Sequence, residues 1–345
     1  MEALNSQLYT AALQGDRQRL QACLAGGADP NTLQYSEARD LGLWEREAPL
    51  HAAAAHGHVD CITALLAGGA DIELLDSTVS RMRPLHAAAY RGQLGCLNAL
   101  LAAGASATAV SGSTGNSALH LAASGGSPAC VARLLAAGAS PTAANDWGST
   151  PAHLAAAHNR AAVLRVLLPA APEVALIRTT SDLYQLHGAS TPLGTALSQG
   201  LPQLDAARYL ITEAALPPAD EVLHLLASWP KMHPARPPSW PHRWLEGEYG
   251  AEALTLYAPF VARQPLTAEQ WARVPAACPG LGAAQPAVLE RSAAEAALLV
   301  QRLPAESRER LHTFALCLRR AQCCKPALPT SVVWRLLALA AANCC

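Results

Sequence analysis

The chain has few large aromatic side chains for its apolar content. Phe, Trp and Tyr together make up 5% of its 345 residues, whereas hydrophobic residues make up 51%. Alanine is abundant, which argues against one thick globular core and favours many helices that pack closely through small faces. Lysine is nearly missing, since only Lys231 and Lys325 are lysines among 25 basic residues. Because Ala, Gly, Pro and Arg are enriched together, we attribute this shortage to GC-rich coding.

Three further features are missing, and each excludes a class of protein. The net charge is −1, so no overall field favours nucleic acid or an anionic membrane as a partner. No apolar run reaches the roughly 18 residues that a membrane-spanning helix needs. The first residues lack the basic start and apolar stretch of a secretory signal. We therefore expect an intracellular protein, cytoplasmic with the nucleus as the alternative, without a nucleic-acid or membrane partner.

One motif recurs in the first part of the chain at a nearly constant period. Four successive copies read APLHAAAAHG, RPLHAAAYRG, SALHLAASGG and TPAHLAAAHN. Their histidines are spaced 35, 34 and 33 residues apart: His51, His86, His120 and His153. In most copies Pro opens a first helix and Gly ends it, as Pro and Gly commonly do at helix ends. With two degenerate copies near Tyr9 and Thr191, the pattern predicts six units between residues 4 and 217.

This motif resembles the ankyrin repeat, and the resemblance covers roughly the first 60% of the chain. It implies pairs of helices that bury their apolar faces only by stacking on neighbouring units. The predicted fold class is all-α, an ankyrin-repeat solenoid over residues 4–217 followed by an α-helical C-terminal region. Longer connections at residues 32–47 and 169–190 are either tolerated surface loops or parts of a binding face.

Recurring histidines and cysteines could suggest a metal site or disulfides. However, one repeat step is longer than metal–ligand bonds of about 2 Å and than the disulfide limit of about 7 Å between Cα atoms. The resemblance implies that the four histidines satisfy backbone groups in the turns. Cys61, Cys96 and Cys130 share one position of the second helix and are predicted to be reduced core thiols. Cysteines near the C-terminus lack the paired spacing of a zinc site, so we expect no metal and no cofactor.

No catalytic signature stands out in the sequence. A G-x-S-x-G elbow, a GK[ST] phosphate loop and paired carboxylates in a known frame are all missing. Catalytic groups can still meet in space without a local signature. We expect a non-enzymatic protein.

The sequence after the repeats divides into three predicted parts. Residues 218–247 form a capping helix and a Pro-rich linker, and residues 248–327 form a helical region. Residues 328–345, LPTSVVWRLLALAAANCC, form an apolar helix that begins near a Thr or Ser cap. This helix resembles the first helix of an F-box, which implies docking onto a cullin ubiquitin ligase through Val332, Val333, Leu336 and Leu337. The alternative is a terminal helix that packs on its own domain.

Two sets of side chains are candidates for partner binding. The resemblance implies recognition through the turn tips and through the exposed side of each first helix. The tip candidates are Trp44, Glu45, Glu47, Met82, Asn116, Asp146 and Trp147. The helix candidates are His56, Tyr90, Arg91 and His158. Trp44, Tyr90, Arg91 and Trp147 are the expected anchors because Trp, Tyr and Arg are enriched at hot spots, although single exposed aromatics need no partner.

The predicted function is that of a protein-interaction scaffold. Its partner is a protein that the sequence does not identify. The alternative is the substrate receptor of a cullin-type ubiquitin ligase, in which the repeats select a substrate and the terminal helix docks on a ligase adaptor.

Overall fold

The computed structural model describes residues 1–35, 46–77, 81–180, 190–198, 204–228, 254–276, 278, 280–309 and 311. The chain divides into two compact units, Met1–Ala196 and Leu197–Cys345. The fold is all-α, as the repeat pattern predicts. Two short strands, β1 (Gln34–Tyr35) and β2 (Arg46–Glu47), pair antiparallel, and Gln34 lies opposite Glu47.

Helices follow one another in pairs through the first unit. The first helices are α1 (Glu2–Gln14), α3 (Pro49–His56), α5 (Pro84–Tyr90), α7 (Ala118–Gly125) and α9 (Pro151–Ala157). The second helices are α2 (Arg17–Ala25), α4 (Val59–Ala67), α6 (Leu94–Ala102), α8 (Pro128–Ala136) and α10 (Ala161–Ala170). Each first helix packs on the next first helix and each second helix on the next second helix. The result is two stacked layers.

Small side chains allow the first helices to approach closely. Ala52, Ala53, Ala88 and Ala89 are fully buried. The closest approach is at Gly125, where an added Cβ would lie 2.0 Å from the carbonyl oxygen of Tyr90 in the preceding repeat. The alanine content of the sequence thus has a structural cause in the first unit.

The four recurring histidines join each repeat to the next turn. Their Nε2 atoms lie within hydrogen-bonding distance of a carbonyl oxygen 23 to 37 residues later. The pairs are His51 with Met82 (3.1 Å), His86 with Ala109 (3.0 Å), His120 with Ser149 (2.9 Å) and His153 with Ser190 (2.9 Å). In the last three, Nδ1 accepts the backbone N–H of the helix N-cap. The prediction that these histidines satisfy backbone groups is confirmed.

Burial keeps these histidines neutral. It lowers the pKa of His86, His120 and His153 to about 4, against the opposing effect of the carbonyl hydrogen bonds. A neutral ring can accept at Nδ1 while it donates at Nε2, as this geometry requires.

The recurring cysteines lie in the core of the first unit. Cys61, Cys96 and Cys130 are free thiols and fully buried, as predicted. The Sγ atom of Cys96 lies 3.8 Å from the carbonyl oxygen of Ala53 in the preceding repeat. Burial raises the pKa of the Cys96 thiol to about 11, so it acts as a small apolar side chain.

The second unit contains helices without a repeating motif. After α11 (Pro192–Ser198), which crosses the boundary between the units, they are α12 (Asp205–Glu213), α13 (Ala219–Ser228), α14 (Tyr257–Arg263), α15 (Ala268–Arg273), α16 (Gln285–Arg291) and α17 (Ala293–Arg302). Larger aromatic residues fill this core, and Tyr257, Phe260 and Trp271 are at most 1% exposed. The predicted domain boundaries at 217, 247 and 327 stay predictions.

Arginines bridge the helices of the second unit. Arg291 donates to the carbonyl oxygens of Ala262 (3.1 Å) and Val261 (3.0 Å) at the end of α14 and binds Glu295 at 2.9 Å. In the same way Arg263 donates to the carbonyl oxygens of Ile211 and Ala214 near the end of α12. Burial disfavours the Glu295 carboxylate, but hydrogen bonds from Arg291 and a backbone N–H hold its pKa below the usual value. The two arginines thus satisfy carbonyl groups that helix ends leave unpaired.

Candidate partner-binding surface

Four of the turns between repeats are each closed at the base by a pair of hydrogen bonds. In each pair, the side-chain oxygen of the earlier residue accepts a hydrogen bond from the backbone N–H of the later one. The backbone carbonyl of the later residue in turn accepts the N–H of the earlier one. The pairs are Asp76 with Met82, Ser111 with Asn116, Asn145 with Ser149 and Thr179 with Ser190. The loops between these bases differ in length, so insertions in the tips leave the base unchanged.

Neighbouring tips are also joined by backbone hydrogen bonds. In each case a backbone N–H donates to the carbonyl oxygen of the preceding tip at 2.9 to 3.2 Å. The pairs are Ser77 to Arg46, Gly112 to Arg81, Asp146 to Thr114 and Thr180 to Trp147. The tips therefore form a row whose spacing is fixed by backbone hydrogen bonds.

Several of the predicted tip residues help to build this row. Glu47 accepts a hydrogen bond of 2.6 Å from the hydroxyl of Tyr9. The Nδ2 atom of Asn145 donates to Oδ1 of Asn116 at 2.9 Å, and Oδ1 of Asn145 accepts the backbone N–H of Trp147 at 3.1 Å. The side chain of Trp147 is half-buried.

The remaining tip candidates differ in exposure and in placement. The side chain of Met82 is half-buried, while its backbone closes a turn. Asp146 is exposed. Trp44 and Glu45 lie outside the described residues and stay predictions.

The four predicted helix residues lie in one row of turns. We call this the inner row and define it as the turns that follow α3, α5, α7 and α9, residues 55–59, 90–94, 124–128 and 157–161. His56, Tyr90, Arg91 and His158 are all exposed there, and 45% of Tyr90 is accessible. The bodies of α5 and α9 are buried apart from these ends. The exposed residues of these two first helices thus lie at or just after their C-terminal ends.

The inner row has a positive electrostatic environment. The ring of His56 lies 6.3 Å from that of His58, centroid to centroid. Burial, together with the charges of His58 and Arg91, lowers the pKa of His56. Burial and the charge of Arg160 lower the pKa of His158 in the same direction. Each histidine therefore lies close to a guanidinium.

Three residues of the inner row that the sequence analysis did not single out link successive repeats. The Nε2 atom of His58 lies 3.0 Å from the carbonyl oxygen of Leu13. Gln93 donates to the carbonyl of Ala55 at 3.3 Å and Arg160 to that of Ser124 at 3.2 Å. All three directly precede a second helix, and aligning the copies at that position would have shown the recurring polar side chains.

Arg81 is a further exposed cation that sequence reasoning missed. It belongs to the tip between α4 and α5 and has a left-handed backbone with φ of 46°. No acidic side chain within the described residues pairs with Arg81 or with Arg91.

A comparison with known families decides the identity of the first unit. A family model for ankyrin repeats, described as three copies, matches residues 8–111 and again residues 85–180. The two matches together span half of the chain. The chain belongs to the ankyrin-repeat family. Ankyrin repeats are generally protein–protein interaction modules, and a search among curated proteins finds no match.

The described parts of this ankyrin-repeat protein were also compared with the requirements of a metal site and of a membrane-spanning helix. Within them, no cluster of three or more His, Cys, Asp or Glu side chains could hold a metal ion. None of the described helices has the length and apolar character to cross a membrane. Val332, Val333, Leu336 and Leu337 lie outside the described residues, so their docking role stays a prediction from the sequence.

Proposed function

We propose that the protein is a scaffold that binds a partner protein through its tips and its inner row. The observation that carries this proposal is the exposure of Tyr90 beside Arg91, residue types enriched at hot spots, on a surface whose spacing is fixed by hydrogen bonds between repeats. The family generally mediates such interactions. Binding, rather than catalysis, is the proposed activity.

Affinity purification with matched variants tests this function. The full chain would be compared with the double variant Tyr90→Ala/Arg91→Ala and with the control Leu176→Ala/Arg19→Ala. Leu176 is exposed to the same 45% as Tyr90, and Arg19 is an exposed residue of α2, so the control removes similar side chains outside the inner row.

We expect the first variant to lose the main partner and the control to keep it, with both variants folded by circular dichroism. Equal recovery of the partner by all three proteins would contradict the proposed surface.

The alternative of a ligase receptor rests on the sequence LPTSVVWRLL after residue 327. Its test is the purification of the full chain beside a chain that ends at Pro326. Loss of cullin components on truncation supports the receptor role, whereas an unchanged set of partners supports the scaffold function without a ligase role.

A further inference from the structure

The inner row combines cations with exposed apolar side chains and has no carboxylate. Its four turns contain no Asp or Glu, although the whole chain has 26 acidic residues against 25 basic ones. Its permanent cations are Arg91 and Arg160, and beside them lie His56 and His158, whose pKa is lowered. The nearest acidic residue along the chain is Asp60, which lies 4.0 Å from the guanidinium of Arg17. The inner row is thus a local excess of positive charge on a nearly neutral chain.

The apolar part of the inner row is also unusual for this protein. Six large hydrophobic side chains are exposed among the described residues, and the inner row holds three of them: Val59, Tyr90 and Leu94. Val59 and Leu94 open successive second helices, and a Cβ at Gly95 would lie 3.0 Å from Val59. An exposed apolar strip therefore runs beside the cations, and such strips commonly mark interaction sites.

The fourth repeat is partly covered by an arginine of the fifth repeat. Its turn has only small side chains, Ser124 and Ser127 among them, and Arg160 of the next repeat reaches back over it. A Cβ at Gly126 would lie 2.7 Å from Cδ of Arg160, whose Nε donates to the Ser124 carbonyl oxygen at 3.2 Å. Arg91 lies on the other side of this turn, in the third repeat. Arg91 and Arg160 therefore belong to the third and fifth repeats, and the charge of Arg91 also acts on His56 of the second repeat.

From this arrangement we infer that the inner row binds an extended protein segment with acidic residues beside an apolar one. The apolar residue packs on Tyr90 and Leu94, and the carboxylates pair with Arg91 and Arg160. Packed helices typically lie about 8–10 Å apart, so the row from His56 to His158, three repeat steps long, spans roughly 24–30 Å. An extended segment of roughly eight or nine residues covers this length. The inference rests on the proposed function and gives the chemistry of its partner.

Selection from a random library of linear peptides tests the inference on the full chain. We expect the selected peptides to be rich in Asp and Glu around an aliphatic or aromatic residue. One of them is then synthesised beside its Asn/Gln counterpart, and both are titrated against the protein at low and high salt. The acidic peptide should bind at least about tenfold more tightly, with a difference that shrinks as salt screens the charges.

Charge-neutral variants locate the site. Arg91→Gln should weaken binding of the acidic peptide severalfold, whereas the control Arg19→Gln on α2 should leave it unchanged. Selected peptides without acidic preference, or full binding by Arg91→Gln, would overturn the inference and leave the scaffold function standing. If no linear peptide is selected although Tyr90→Ala/Arg91→Ala still loses its cellular partner, the partner presents a folded surface and the inference is again overturned. If no linear peptide is selected and Tyr90→Ala/Arg91→Ala also keeps its cellular partner, the proposed function fails as well.

Discussion

The two units of the chain stabilise their helices in opposite ways. The first unit makes the same bonds in every repeat, as when a buried histidine reaches the next turn in the pairs His120 with Ser149 and His153 with Ser190. The second unit uses single arginines, each of which reaches carbonyl groups at the end of a distant helix, as Arg291 does at Val261. The histidine bond recurs because the short motif that carries it recurs in each repeat. An arginine bridge in the second unit has no such copy and depends on one side chain.

This difference affects how each unit should respond to damage. In a repeat array, stability is close to a sum of repeats and their nearest-neighbour interfaces. A change in one repeat should then weaken that repeat and its interfaces with its immediate neighbours only. In the second unit, the loss of one arginine leaves carbonyl groups of another helix unpaired.

Acid should produce the largest difference in stability between the two units. The pKa of His86, His120 and His153 is about 4 in the folded chain and 6.5 as the ordinary value. Between these values the unfolded chain binds more protons than the folded chain, so the first unit loses stability as the pH falls from 6.5 towards 4. Each pKa unit corresponds to about 1.4 kcal/mol, and the three residues together should lower the free energy of unfolding by several kcal/mol.

Urea unfolding at a series of pH values, followed by hydrogen exchange of peptides from each unit, measures this effect. The second unit serves as the internal comparison. Its Glu295 carboxyl has a pKa below the ordinary 4.5, so the stability it contributes is lost only at lower pH. A parallel loss in both units above about pH 5 would show that the buried histidines are not the cause.

A methyl group at Gly125 should be the most damaging small substitution in the repeats. In Gly125→Ala the new Cβ would lie 2.0 Å from the backbone oxygen of Tyr90, and backbone cannot move aside as a flexible side chain can. We expect a loss of about 3 kcal/mol or more in the free energy of unfolding, measured in urea.

Gly138→Ala is the matched control for this substitution. No atom lies within 4 Å of its added Cβ, but its φ of 87° is left-handed. That strain alone should cost about 1–2 kcal/mol. Equal losses in the two variants would mean that the first helices move apart readily.

The layered architecture could be predicted because its causes recur in the sequence. Four histidines and three cysteines at a common period indicate the turn and the buried face of each repeat, and the structure places His120 and Cys96 accordingly. The residues that close the turns carry no such signal. Asp76, Ser111, Asn145 and Thr179 play one role with four residue types, at different distances from the residue they bind.

The binding surface was predictable only in part, for a related reason. Tyr90 and Arg91 follow from their position after the Ala pair, and both are exposed as expected. Position in the motif does not reveal which candidate side chains form hydrogen bonds within the chain, so the bond from Tyr9 to Glu47 could not be foreseen. The reach of Arg160 over the fourth turn likewise depends on Gly126, whose significance appears only in three dimensions.

Arg291→Met should be the corresponding test of the second unit. It removes two hydrogen bonds to α14 and the ion pair with Glu295 while it keeps an apolar stem of similar length. Because hydrogen bonds to charged groups contribute about 1.5–3 kcal/mol, we expect a loss of about 2–3 kcal/mol.

Hydrogen exchange should locate this loss in the second unit. Arg308→Met, at an exposed position of the same unit, is the control and should change little. Faster exchange in the first unit after Arg291→Met would contradict the view that its interfaces are self-sufficient.

Asn145→Ala should give the smallest effect and also the one that separates stability from binding. The substitution removes the acceptor for the N–H groups of Trp147 and Ser149 and the donor to Asn116. Asn145→Asp is a second variant, whose carboxylate keeps the acceptor, loses the donor and adds a negative charge at this buried position. We expect each variant to lose about 1–2 kcal/mol in urea unfolding. Since neighbouring turns stay joined through the backbone bond from Thr180 to Trp147, the inner row should be unaffected, and an acidic peptide should bind both variants as it binds the parent chain. Weaker peptide binding by the Ala variant alone would instead show that the tips and the inner row act as one surface.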